Sequence, residues 1–125
     1  MSDKFFLDTN ILIYTFDSRE PDKQQKADEL VRNALDTGNG IISFQVIQEF
    51  LSAASRKFVS PLSVSDCQKY LDNVLAPLCK VFSDIGLYLQ ALTIAEKRKY
   101  SFYDSLIISA AIYGKCGILY SEDLQ

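Results

Sequence analysis

Short apolar runs separated by amphipathic stretches, with a carboxylate at the margin of each run or stretch, constrain this chain more than any other feature. Asp8 ends Phe5-Phe6-Leu7, Glu49 stands just after Ile41-Ile42-Ser43-Phe44, Asp104 opens Leu106-Ile107-Ile108, and Asp123, with Glu122 beside it, follows Ile118-Leu119-Tyr120. Strands alternating with helices imply a parallel sheet covered on both faces. Open sheets of that kind bind ligands in the crevice beyond the carboxyl ends of their strands. Several carboxylates converging there repel one another and are costly to desolvate unless a cation holds them together. The pattern therefore predicts a divalent-metal site on a small α/β fold.

Along the chain, residues 4–8 read as a short buried strand with Thr9-Asn10 as its turn, and 11–16 as an apolar segment, helical or extended, against the core. Pro21 stands where a helix can begin and Gly38 just past its end. Between them Ala27, Leu30, Val31, Ala34 and Leu35 keep to one helical face. Ile41–Phe44 is a second strand, and a helix from 45 to 57 follows. Glu49 lies beside that helix's apolar stripe, half-sheltered, with Arg56 two turns further along the same side. Ser63-Val64-Ser65-Asp66 resembles a capping box that opens a helix to 76. Val81-Phe82 reads as a third strand. A helix over 84–99 places Leu87, Ala91, Ile94 and Ala95 on one face, packed inside or at a subunit interface. Asp104 opens a helix through Tyr113, ending near Gly114 or Gly117, and Ile118–Tyr120 is a fourth strand. Such a fold normally carries a further strand, and only two residues follow Asp123, so the sequence is expected to lack its last strand.

The 125 residues suit one domain spanning 1–125. No apolar run approaches the ~18 residues of a membrane span, and Met1-Ser2-Asp3-Lys4 has no signal-peptide pattern, so a cytoplasmic location is expected. The chain has no histidine, which excludes Ser-His and Cys-His catalysis within one chain and any histidine-ligated metal. Cys67, Cys79 and Cys116 form no CxxC and read as reduced packing residues. A metal here is held by oxygen, which favours Mg²⁺ or Mn²⁺. The net charge of −3 argues at first against nucleic acid, but setting aside the five candidate site acids leaves eleven acidic against 13 basic residues. A metal-loaded site can therefore accept a polyanion.

Four segments, in order along the whole chain, carry a family resemblance. Phe6-Leu7-Asp8-Thr9-Asn10-Ile11-Leu12 looks like the opening motif of PIN-domain nucleases, and Ser43–Phe50 like the second motif with its helix glutamate. Phe102–Ile107 and Leu119–Leu124 are similar to the third and fourth. The size and flavour of the motifs most resemble the toxin component of bacterial VapBC toxin–antitoxin pairs. The resemblance implies a PIN-like α/β fold with Asp8, Glu49, Asp104 and Asp123 as the metal-site acids. Asn10 and Ser121 are the supporting polar residues and Glu122 a bystander. It further implies Mg²⁺- or Mn²⁺-dependent endoribonuclease action on structured RNA such as transfer or ribosomal RNA, a cognate antitoxin and a homodimer.

Each residue also has a plainer reading. Asp104 suits a helix N-cap, Asp8-Thr9-Asn10 an Asx turn, and Lys97-Arg98-Lys99 the macrodipole of a helix end. Arg56 and Lys57 are candidates for backbone phosphates. Tyr100, Phe102 and Tyr103 are candidates for base stacking or for packing. Two other functions compete with the nuclease: a PIN-like module that binds RNA or protein without cutting, and a phosphoryl-transfer enzyme with Asp8 as nucleophile. The latter wants a second acid two residues on, where this chain has Asn10.

Overall fold

The structure, a computed structural model, describes residues 3–121. Strand and helix alternate through β1 (Phe5–Leu7), α1 (Thr9–Tyr14), α2 (Pro21–Thr37), β2 (Gly40–Ser43), α3 (Phe44–Arg56) and α4 (Val64–Tyr70). A π-helical turn (Leu71–Leu75) leads into α5 (Ala76–Leu78), β3 (Cys79–Val81), α6 (Ile85–Arg98), α7 (Phe102–Tyr113) and β4 (Ile118–Tyr120). The four strands make one parallel sheet in the order β3-β2-β1-β4. Phe5 lies opposite Gly40 on one side and Ile118 on the other, which makes β1 an inner strand. Every residue of β1 and β2 is buried. Successive strand side chains point to opposite faces, so both faces of the inner sheet are covered, as the alternation of elements requires.

The core forms where the inner strands meet α1 and α3. Phe6, Leu7, Leu12, Ile42, Val46 and Phe50 have no exposed surface. Phe50 stacks on Tyr70 with ring centres 4.8 Å apart and meets Phe58 edge-on at 5.9 Å, which ties α3 to α4. The element boundaries follow local chemistry. Pro21 occupies the first turn of α2, and Gly38 ends it at φ 74°, a left-handed conformation that favours glycine. Ser63 caps α4 by accepting from the Asp66 N–H, and Asp84 caps α6 by accepting from the Leu87 N–H. The apolar segment after Asp8 is helical, and Asp8 is its N-cap.

Three expectations are corrected. The helix opening at Ser63 runs past residue 76 to Leu78 through the π turn. Pro77 explains the irregularity: its ring removes a donor and crowds the carbonyl four residues back, so the preceding turn widens. β3 ends at Val81, and Phe82 is exposed, meeting Phe44 edge-on at 4.8 Å. β3 is an edge strand whose register shifts against Ile42 and Ser43, so its pairing stops early. Finally, α7 starts at Phe102 with Ser101 as its cap, so Asp104 lies in the first turn and does not open the helix.

Of the apolar stripe on α6, Leu87 and Ala91 pack inside, while Ile85, Leu89 and Leu92 are exposed on another side. All three cysteines are free, and burial pushes the thiols of Cys79 and Cys116 up, which disfavours the reactive thiolate. No helix among the described residues is long and apolar enough to cross a membrane. The expectation of a missing last strand falls after Ser121, outside the described residues.

Gly40 sits where α2 crosses β2. A methyl group there would run into the Ala34 Cβ and stand 2.6 Å from Cε2 of Phe5. Gly40→Ala is expected to cost about 1–3 kcal/mol through overpacking. The check is urea unfolding, read as a lower midpoint at unchanged slope. An unchanged midpoint would mean that α2 moves aside freely.

Candidate active site

The chain leaves β1 toward β2 on one side and returns beside β1 as β4 on the other. The crevice between the carboxyl ends of β1 and β4 is thus the place where connections diverge, the usual ligand site of an open α/β sheet. Asp8 stands there. Its backbone N–H donates to the Tyr120 carbonyl at 3.0 Å and extends the β1–β4 pairing by one bond. Its Oδ1 accepts from the Thr9 N–H at 2.6 Å, and its Oδ2 accepts from the Ser121 hydroxyl at 2.7 Å. Ser121 is only 1% exposed, so its partner is specified by burial. Both Asp8 oxygens are thereby oriented.

Glu49 reaches the same place from α3. Its Oε1 accepts from the Thr9 hydroxyl at 2.5 Å and its Oε2 from Nε2 of Gln45, one helical turn earlier, at 3.2 Å. Thr9 therefore serves two acids, by its backbone to Asp8 and by its hydroxyl to Glu49. Asp104 comes from the first turn of α7. Ser101 performs the capping there, its hydroxyl accepting from the Asp104 N–H at 3.1 Å. The cap reading of Asp104 is thereby displaced, and among the described residues no hydrogen bond or ion pair engages its carboxylate.

Asp8, Asn10, Glu49 and Asp104 line one cleft of about 710 Å³, with Thr9 and Gln45 between them. Lys57, the C-cap residue of α3, is the one cation among the described lining residues. Arg56, its neighbour, is not among them, and its Nη2 donates to the Ser52 hydroxyl at 3.4 Å. One residue is about 100° of helix rotation, enough to exchange the two roles. Asp123 and Glu122 lie outside the described residues. Thr9 and Gln45 are the contributors that motif reading passed over. Their signals were adjacency to Asp8 and the one-turn spacing from Glu49.

The charged donors of the cleft are carboxylates, with no His or Cys among its described lining residues. That is the donor chemistry of a hard divalent cation. The unengaged Asp104 carboxylate, facing the same space as Asp8 and Glu49, fits such an ion in kind. Among the described residues no three acids are close enough to hold one ion together.

Comparison with known proteins places this geometry. Residues 5–125 match the PIN domain family. No curated protein matches the chain. Among solved structures, a toxin–antitoxin complex from Klebsiella pneumoniae superposes with a TM-score of 0.66 at 16% identity, over 94% of this chain and 85% of that one. At that identity the likeness speaks for the fold alone. The family match covers nearly every residue, and the chain belongs to the PIN-domain family.

Proposed function

We propose that this PIN domain is a metal-dependent endoribonuclease of the cytoplasm, the toxin of a toxin–antitoxin pair. The observation that carries this reading is the convergence of Asp8, Glu49 and Asp104 on one cleft at the carboxyl ends of the strands. Membership of a family of nucleases supports the chemistry. Likeness to a toxin–antitoxin complex supports the biological setting.

In this reading Asp8, Asp104 and Asp123 hold Mg²⁺ or Mn²⁺, and Glu49 holds a second ion or orients the attacking water. A bound ion of this kind supplies Lewis acidity toward a phosphate oxygen and lowers the pKa of a coordinated water. Thr9 and Ser121 fix the orientation of Asp8, and Thr9 and Gln45 fix that of Glu49. Such outer partners typically change metal affinity or activity by about 10–100-fold when removed. Asn10 adds a neutral amide on the cleft wall, and Lys57 offers a cation to a backbone phosphate. Attack by water, and not by a ribose 2′-OH, leaves a 5′-phosphate on the product. The acidic cleft also suits a basic side chain on an inhibitory antitoxin segment.

Three outcomes are expected. The purified chain cuts transfer or ribosomal RNA with Mg²⁺ or Mn²⁺, EDTA stops the cutting, and Asp8→Asn loses both the cutting and the growth arrest caused by expressing the chain alone. RNA bound but never cut, with metal present, would replace this reading with a non-cleaving PIN module. Lys57→Ala is expected to weaken RNA binding alike for all sequences and to flatten the log–log salt dependence by about 0.7, the value for one phosphate of a single strand. An unchanged slope removes Lys57 from the substrate path. Ile85, Leu89 and Leu92 recur at helical spacing on an exposed side of α6, and we place a homodimer contact there. Light scattering is expected to give a dimer for the native chain and a monomer for Leu89→Asp; a native monomer sinks that assignment.

A further inference from the structure

A second recess, of about 340 Å³, adjoins the acid cleft. Gln45, Gln48 and Tyr103 line both, so the two spaces adjoin across these side chains. Tyr88 and Phe102 complete an aromatic wall: the Phe102 ring centre is 5.7 Å from that of Tyr103 and 6.4 Å from that of Tyr88. These rings are not core residues, since Tyr103 is 66% exposed and Phe102 and Tyr88 are 38% and 39% exposed. The polar part of the wall is amide. Gln45 has given its Nε2 to Glu49 and is left with a buried, unpartnered Oε1. Gln48 is one turn on, exposed, and its side chain makes no hydrogen bond among the described residues. No described residue lining the recess carries a positive charge.

A recess without cations does not suit a phosphate. Exposed aromatic faces beside an amide that both donates and accepts suit a flat heterocycle with polar edges. We propose that this recess is a nucleobase subsite, taking one unpaired base of the strand whose phosphodiester lies in the acid cleft. The base stacks on Tyr103 and presents its edge to Gln48. Gln45, buried between the two spaces and bonded to Glu49, is a positioning residue that links an occupied recess to the orientation of that carboxylate. The inference rests on the nuclease reading of the cleft. It adds that the cut falls beside an unpaired nucleotide and that preference at one position flanking the scissile bond is set by Gln48.

The test is NMR titration of the full chain with AMP, CMP, GMP and UMP, and with ribose 5-phosphate as the probe that lacks a base. The four nucleotides are expected to shift the Gln48 side-chain amide and the Tyr103 ring signals, and ribose 5-phosphate is not. Tyr103→Ala is expected to weaken nucleotide binding about ten-fold or more, the loss of one base–aromatic stack, while Tyr103→Phe retains it. Gln48→Ala is expected to alter the ranking of the four nucleotides and the base preference beside the cut. Equal shifts from ribose 5-phosphate, or no shift at millimolar nucleotide, overturn the subsite. RNA cleavage with cut sites unchanged in Tyr103→Ala and Gln48→Ala overturns the subsite and leaves the nuclease standing. Base-dependent binding by a chain that never cuts RNA supports the subsite and overturns the nuclease.

Discussion

The Asp8–Ser121 hydrogen bond joins residues 113 apart in the chain, and the site depends on it. It can form only when β4 has paired with β1 in register, Leu7 opposite Tyr120. A slip of one residue would exchange the faces of the whole strand, so the buried apolar residues of β1 defend the position of Asp8 as well. A hydrogen bond to a charged group contributes about 1.5–3 kcal/mol, and losing it would leave the Ser121 hydroxyl buried without its partner. From Asp8 the constraint passes through Thr9, at the start of α1, to Glu49 on α3, and from there to Gln45. Folding the sheet and orienting the acids are thus one process.

The same linkage bears on which chemistry the cleft performs. A carboxylate that attacks phosphorus needs an oxygen free of competing donors. Asp8 has a donor on each oxygen, one from the backbone and one from a buried hydroxyl. That arrangement lowers nucleophilicity and suits an electrostatic ligand, and Asn10 occupies the position where a second acid would assist a phosphorylated aspartate. The cleft's described charges are three acids against Lys57 alone. A polyanion meets net repulsion there unless cations are present. Metal binding and RNA binding are therefore expected to be coupled, each favouring the other.

Much of this is legible in the sequence. The inner strands announce themselves as unbroken apolar runs because parallel strands are buried on both faces, and Phe5–Leu7 and Gly40–Ser43 are buried throughout. Pro21, Gly38, Ser63 and Asp84 mark element ends through backbone chemistry that is local and hence readable. The sequence is ambiguous where two neighbours serve equally. Ser101 and Asp104 are both good caps three residues apart, and only packing decides which one starts the helix. Arg56 and Lys57 differ by one step of helix rotation, and the C-terminal end of α3 decides which faces the acids. Phe82 extends an apolar pair, but an edge strand with a shifted register has no partner to hold it. Thr9 was invisible as a ligand to Glu49 because that contact spans 40 residues.

On the nuclease reading, helix α3 does more for substrate selection than the sheet does. Gln45, Gln48, Glu49 and Ser52 line the cleft from one face of α3, and its C-cap Lys57 closes the row. From Gln48 to Lys57 that face runs about 13 Å, at 1.5 Å of rise per residue. On the nuclease reading, a strand laid along it meets an amide and aromatic wall first, then Glu49, then a cation. Base, scissile phosphate and neighbouring phosphate are thereby ordered along one rigid element, and the direction of the strand is set by which end of α3 carries the charge. The sheet places the acids. On the same reading, the solvent-facing residues of α3, with Tyr103 across the cleft on α7, would select which RNA reaches those acids, apart from the buried strands that hold Asp8.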